Sequence, residues 1–181
     1  MNFPKRKPTR LAGYDYGAPG AYFVTICTKD KRCLFGEIKN NEMCLSGLGE
    51  ITEKEILDVE SHYQGVKVDK CVIMPNHIHM IIFIERAEGM NPFPTIRTDV
   101  PNIIGKFKAG VSRIVGNAFM HSEKIWQRSY HDHIIRGDKC YLKIWEYADT
   151  NVIRWKEDCF YKKRSQLIVA TFFLCGFRYY P

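Results

Sequence analysis

Two histidines one residue apart, His77 and His79, stand in the segment IMPNHIHMIIFIE, and about 70 residues later Tyr147 and Asn151 stand four apart. These types and spacings fit a metal-assisted nucleophilic site. In a strand, residues i and i+2 point to one face, so both imidazoles can reach one cation while Ile78 and Met80 turn into the core. On a helix, residues i and i+4 lie one turn apart, so the Asn151 amide oxygen and the Tyr147 phenol can approach that cation together. The chemistry is attack by a phenol on a centre polarised by a metal, and it requires the strand and the helix to meet.

A second pair with the same spacing, His131-Asp132-His133, lies on another apolar stretch with an acidic neighbour. Spacing does not separate the two pairs. The Pro75-Asn76 turn leaves the first pair near a sheet edge where a substrate can approach, and a role in burial alone would favour Val or Ile there. For the second pair a metal is one reading; the structural one is that a histidine contacts a phosphate or orients the first pair. Tyr147 is one of ten tyrosines, and tyrosines on helices mostly pack. Its helix also carries Trp145 and Ala148, which sets a docking face beside a polar one.

The elements that must position these residues follow from periodicity. Residues 21–28 (AYFVTICT) are aromatic and β-branched and predict a strand, with LFGEI at 34–38 as its hairpin partner across the polar Lys29-Asp30-Lys31-Arg32 turn. Leu48, Ile51, Ile56, Val59 and Tyr63 fall on one side of a helix over 48–63, which ends at Gly65. Two apolar runs, 66–74 and 77–85, flank the Pro75-Asn76 turn. Pro92, Pro94 and Pro101 make 87–101 a loop. A second helix buries Ile103, Ile104, Phe107, Val111, Ile114, Val115, Ala118 and Phe119, with Lys106 and Arg113 on its solvent face. A strand over 130–136 and a third helix over 139–151, with Asp138 as N-cap, complete the order β-β-α-β-β-α-β-α. Hairpin-length links exclude a parallel α/β sheet and predict an α+β fold, an antiparallel sheet with helices packed on one face.

A chain of 181 residues supports one domain with a real core. Residues 1–20, rich in Pro, Gly and basic side chains, are expected as an extended arm, 21–161 as the domain, and 162–181 as an apolar tail. The net charge of +7 and pI near 9.0 favour an anionic partner, nucleic acid first. Basic residues gather at Lys5, Arg6, Lys7 and Arg10 and again at Lys162, Lys163 and Arg164. Lys106, Lys108 and Arg113 offer a second line of backbone contacts, Arg128 adjoins the site segment, and Tyr14, Tyr16 and Tyr130 are available for base stacking. Seven cysteines without a CxxC pair and no secretory signal predict a reduced, cytoplasmic protein without a zinc ribbon. The apolar run 167–177 is about half a bilayer span, so no membrane is expected. No phosphate-cradling glycine motif calls for a nucleotide cofactor.

Taken in order, RKPTRLAGYDYGAPGAYFVTICTKDKRCLFGEI, MPNHIHMII, IWQRSYHDHIIR and KIWEYADTNVIRW resemble the IS200-like transposases and, more narrowly, the REP-associated tyrosine transposases, from Arg6 to Tyr161. That family belongs to the HUH superfamily of single-strand DNA nucleases, so the resemblance implies a ferredoxin-like antiparallel sheet. It implies His77 and His79 as the metal-binding pair, Asn151 as third ligand, Tyr147 as nucleophile and Mg2+ or Mn2+ as the metal. It also implies cleavage of hairpin-bearing single-stranded DNA through a 5′-phosphotyrosine, by a monomer or a homodimer. An alternative is a catalytically inactive hairpin-DNA-binding protein derived from a transposase. A His-metal phosphodiesterase with water as nucleophile is a further possibility. The sequence departs from the family where Val152 replaces the proline after Asn151, which predicts that the helix runs on, and in the added tail KKRSQLIVATFFLCGFRYYP.

Overall fold

The computed structural model describes residues 10–85, 98–119 and 123–161. Lys5, Arg6, Lys7 and the tail 162–181 lie outside them. Among the described residues are six strands and four α-helices: β1 (Gly20–Cys27), β2 (Gly36–Lys39), β3 (Glu42–Leu45), α1 (Gly47–Leu57), α2 (Val59–His62), β4 (Val66–Met74), β5 (His77–Ile84), α3 (Val100–Phe119), β6 (His131–Ile135) and α4 (Asp138–Thr150). Four strands form one antiparallel sheet in the order β4-β5-β1-β6. The fold class is the expected α+β one, but the helices cover both faces of the sheet rather than one, α1 and α3 on one side and α4 on the other.

Alternation along β5 divides the molecule. Ile78, Met80, Ile82 and Ile84 join Tyr22, Val24 and Ile26 of β1 in the main core, packed under Leu48 and Ile56 of α1 and Ile103, Ile104, Phe107, Val111 and Val115 of α3. His77, His79 and Ile81 therefore face the other side of the sheet. There α4 lies, and its Cys140, Tyr141 and Ile144 pack against Ile81, Phe23 and Phe83. Tyr14 and Tyr16 from residues 10–20 also enter the main core.

Several local expectations are corrected. Residues 36–39 pair with β3, not with β1, because β5 and β6 already occupy both edges of β1. The turn between β2 and β3 is Asn40-Asn41, both at positive φ (51° and 63°), as tight hairpin turns require and Asn tolerates. The helix predicted over 48–63 is two helices broken at Asp58, whose carbonyl takes bonds from Ser61 Oγ and His62 Nδ1. Pro101 is not in a loop but in the first turn of α3, where the missing N–H costs nothing. Ala118 is exposed. The residue before α4 is Gly137 (φ 81°), and Asp138 is the first helical residue rather than its cap. Finally, α4 stops at Thr150. The chain then turns through Trp155–Glu157, and the following residues fold back over the histidines.

Candidate functional site

The strand and the helix meet. His77 and His79 open β5, 0% and 2% exposed, opposite Cys27 and Thr25 of β1 and Met74 and Val72 of β4. Their Nε2 atoms lie 3.0 Å apart. Ala148, 1% exposed, seats α4 on the sheet. At the helix edge, Tyr141 Oη donates to Asp69 at 2.6 Å, and Lys70 Nζ pairs with Asp149 at 2.5 Å and sits 4.1 Å over the Trp145 ring. That seating brings Tyr147 Oη and the Asn151 amide each to 3.4 Å from His79 Nε2. The Tyr147 ring stands edge-on to His79 at 5.2 Å, and Phe23 stacks on His79 at 5.2 Å. All of this forms within one chain.

Asn76, which sequence reasoning treats only as a turn residue, fixes the tautomer of His77. Its Nδ2 donates to the carbonyls of Lys31 (3.2 Å) and Phe160 (2.9 Å), so its Oδ1 must face the ring. At 2.9 Å that oxygen accepts from His77 Nδ1. A neutral imidazole carries one proton, so His77 Nε2 presents a bare lone pair. His79 Nδ1 is 2.9 Å from Thr25 Oγ1, a hydroxyl that can donate or accept. In the metal-free chain His79 Nε2 donates to His77 Nε2. Moving that proton to Nδ1, where Thr25 accepts it, would bare the second lone pair.

Burial keeps both rings neutral. Desolvation, with Lys31 adding to it, pushes His77 down to about 3, and desolvation together with His77 pushes His79 down to about 3. Asp158 adds a carboxylate: its side chain is 3% exposed, and Oδ2 lies 3.9 Å from His77 Nε2. Since His77 is neutral, no described residue gives Asp158 a cationic partner there. The donor atoms of His77, His79 and Asp158 lie within 4.8 Å of one another. The buried Oδ1 of Asn151 has no hydrogen-bond partner, and exchanging the two ends of that amide turns the oxygen toward His79. One bare imidazole nitrogen, a second that a tautomer shift bares, a buried carboxylate and an orphaned amide oxygen are what a divalent cation needs, so the residues fit one. Asp158 escaped sequence reasoning because it lies about 80 residues from the pair, with no spacing that ties it to them.

Burial, and next the nearby Asp158, raises the Tyr147 phenol above its ordinary value, while a hydrogen bond from Asn151 acts the other way. Tyr147 is therefore a protonated phenol at neutral pH.

Other predicted site residues fall elsewhere. His131 and His133 on β6 pair with Thr25 and Phe23, so they share the face of the first pair. Both are exposed, and His133 Nε2 is 3.5 Å from Cys140 Sγ. They assemble no metal cluster among the described residues, because Asp132 points to the opposite face and accepts from Tyr16 Oη at 2.7 Å. Lys106 and Arg113 are exposed on α3, across the sheet from the histidines. Lys108 is not on that line: its Nζ donates to the Gln127 and Ser129 carbonyls, and burial lowers it to about 8. Arg10 lies 4.8 Å over the Tyr130 ring. Tyr16 and Tyr130 are buried, at 7% and 6% exposure, and cannot stack on bases. Arg128 is exposed beside the turn at Lys29–Lys31.

No family model matches the chain. A protein of Haemophilus influenzae, itself uncharacterized, is 40% identical over 170 residues, covering 86% of this chain and 93% of that one. The two proteins belong to one family. A solved REP-associated tyrosine transposase bound to a REP hairpin superimposes with a TM-score of 0.58 at 18% identity, covering 86% of this chain and 74% of that chain. Our chain thus has the REP-associated transposase fold, in agreement with the resemblance carried by its motifs. Within this transposase fold the described residues contain no helix long and apolar enough to cross a membrane.

Proposed function

We propose that this protein is a transposase-like, metal-dependent single-strand DNA nuclease and strand transferase that uses Tyr147 as nucleophile. The observation that carries the reading is the convergence of Tyr147 Oη, the Asn151 amide and His77 Nε2 on His79 Nε2, at 3.4, 3.4 and 3.0 Å. The similar transposase was solved with a REP hairpin, and we take hairpin-bearing single-stranded DNA as the substrate class here.

His77, His79, Asp158 and Asn151 are the residues that would hold Mg2+ or Mn2+, with Mn2+ the better match to two imidazoles. When bound, the ion supplies Lewis-acid polarisation of the scissile phosphate. Asn76 and Thr25 hold the imidazoles by their far nitrogens. Phe23 and α4 fix the phenol beside them, which supplies positioning in advance of reaction. In the step, the Tyr147 Oη–phosphorus bond forms and the bond from phosphorus to the 3′ oxygen breaks. The phenol loses its proton, and the departing 3′ oxygen gains one. The products are a 5′-phosphotyrosine and a free 3′ hydroxyl. One phosphodiester replaces another, so the reverse attack by a 3′ hydroxyl rejoins strands without ATP. Tyr147 Oη lies 3.4 Å from His79 Nε2 within one chain, which supports a site completed by a single copy.

The test is incubation with labelled, hairpin-bearing single-stranded DNA and Mn2+, followed by denaturing electrophoresis. A shifted protein–DNA band that disappears in Tyr147→Phe is expected. Binding without any such band would favour the catalytically inactive hairpin-binding reading, and cleavage surviving in Tyr147→Phe would favour water as nucleophile.

A further inference from the structure

Next to the histidine site the described surface carries a groove of about 730 Å3 between the turn at Lys29–Lys31 and the extended segment 124–128. Lys29, Lys31, Lys124 and Arg128 line it against a single carboxylate, Asp30, with Trp126 as apolar wall. Among the described residues no carboxylate is ion-paired to Lys29, Lys124 or Arg128. Both sides are fixed by backbone bonds: Lys29 N donates to Ile125 O at 2.7 Å, and Gln127 N donates to Cys27 O at 2.9 Å. Lys108 braces the far side from α3, donating to the Gln127 and Ser129 carbonyls, while its own carbonyl accepts from Trp126 Nε1 at 3.0 Å. A positively lined groove is therefore built in before any ligand arrives.

The groove abuts the chemistry through Lys31. Its carbonyl is one of the two acceptors that orient Asn76. Its ammonium donates to Cys159 O at 3.2 Å and lies 4.7 Å over the Phe160 ring, which in turn lies 4.6 Å from His77. A partner bound there runs directly into the site.

We propose that this groove holds the sugar-phosphate backbone of the single DNA strand leading to Tyr147, with Lys29, Lys124 and Arg128 as its phosphate contacts. The inference rests on the nuclease reading. A backbone of repeated anions matches a track of unpaired cations in charge, and its continuity with a phosphate-cleaving site favours it over an acidic peptide. The sequence pointed only to Arg128 in this region.

The test uses the full chain, a labelled single-stranded oligodeoxythymidylate as probe, no metal, and fluorescence anisotropy across a salt series. The exposed triple variant Lys29→Gln/Lys124→Gln/Arg128→Gln is compared with the exposed pair Lys54→Gln/Lys67→Gln on α1 and β4, which removes charge elsewhere. Three lost phosphate contacts, at about 0.7 each for a single strand, reduce the salt slope by about 2; between about 50 and 200 mM salt the parent then loses about twentyfold more affinity than the variant. The control pair leaves the slope unchanged. An unchanged slope in the triple variant, or an equal fall in the control pair, overturns the proposal. Adduct formation on the hairpin-bearing strand with Mn2+ is read separately. A parent that forms adduct while the triple variant keeps its slope removes the groove and leaves the nuclease. A parent that forms none while the slope falls removes the nuclease and leaves a single-strand-binding groove.

Discussion

Replacing Asn76 by alanine is expected to weaken metal binding although Asn76 is not a ligand. In the parent its Oδ1 accepts from His77 Nδ1 at 2.9 Å, which keeps the proton off the nitrogen that faces His79. In Asn76→Ala the ring either buries an unsatisfied N–H or adopts the tautomer that blocks Nε2. Loss of a partner of this kind typically costs 10–100-fold in metal affinity, about 1.4–2.8 kcal/mol. The Lys31 and Phe160 carbonyls also lose their donor, at 3.2 and 2.9 Å, so folding stability falls by about 2–4 kcal/mol in total. Asn76→Asp keeps an oxygen for His77 but not the amide donors, so it should recover metal affinity more than stability. Calorimetric titration of Mn2+ into chains shown by circular dichroism to be folded reads the first effect, and urea unfolding reads the second. Nitrogen-15 NMR of the metal-free parent should show the Nδ1–H tautomer at His77. Mn2+ affinity within twofold of the parent in folded Asn76→Ala would refute the reasoning.

Acid should destabilise the metal-free protein through the two buried imidazoles. Their folded values, pushed down to about 3, lie below the unfolded value near 6.5, so between these limits the unfolded chain binds more protons. Stability is fully present above about pH 6.5 and falls below it by up to about 3 kcal/mol per pH unit for the pair. Urea midpoints at pH 7 and pH 5 that coincide would contradict this. Asp158→Asn should lower Mn2+ affinity by about tenfold or more, because it removes the only carboxylate of the cluster; unchanged binding would remove Asp158 from the ligand set. Ala148→Leu, at a position 1% exposed under α4, should overpack the helix against the sheet and cost about 1–3 kcal/mol. Thermal melting checks the stability, and the rate of adduct formation should fall with it because Tyr147 rides on the same helix.

Much of the site was legible because its spacings are local. The period of two in HIH puts both imidazoles on one face whatever the sheet around them, and the four-residue step from Tyr147 to Asn151 does the same on a helix. What joins them is not local. Asp158 and the Phe160 carbonyl arrive by a reversal after Thr150 that Val152 gave no reason to expect. The role of Asn76 depends on two carbonyls, at Lys31 and Phe160, 45 and 84 residues away. The pairing of β2 followed from competition for the edges of β1, which no local pattern reports, although Asn40-Asn41 was a usable turn signal. The tyrosines proposed for base stacking were misplaced for a similar reason. Aromatic type alone does not distinguish a ring that meets a base from one that fills a core, and Tyr16 and Tyr130 fill the core.

The central claim is that the Tyr147 hydroxyl is the atom that takes the phosphate. Protease digestion and mass spectrometry of chain reacted with hairpin-bearing single-stranded DNA and Mn2+ should find the nucleotide-bearing peptide to be the one containing Tyr147, with none formed when the metal is chelated. A nucleotide on any other residue, or cleaved DNA with an unmodified Tyr147 peptide at every time point, would contradict the account.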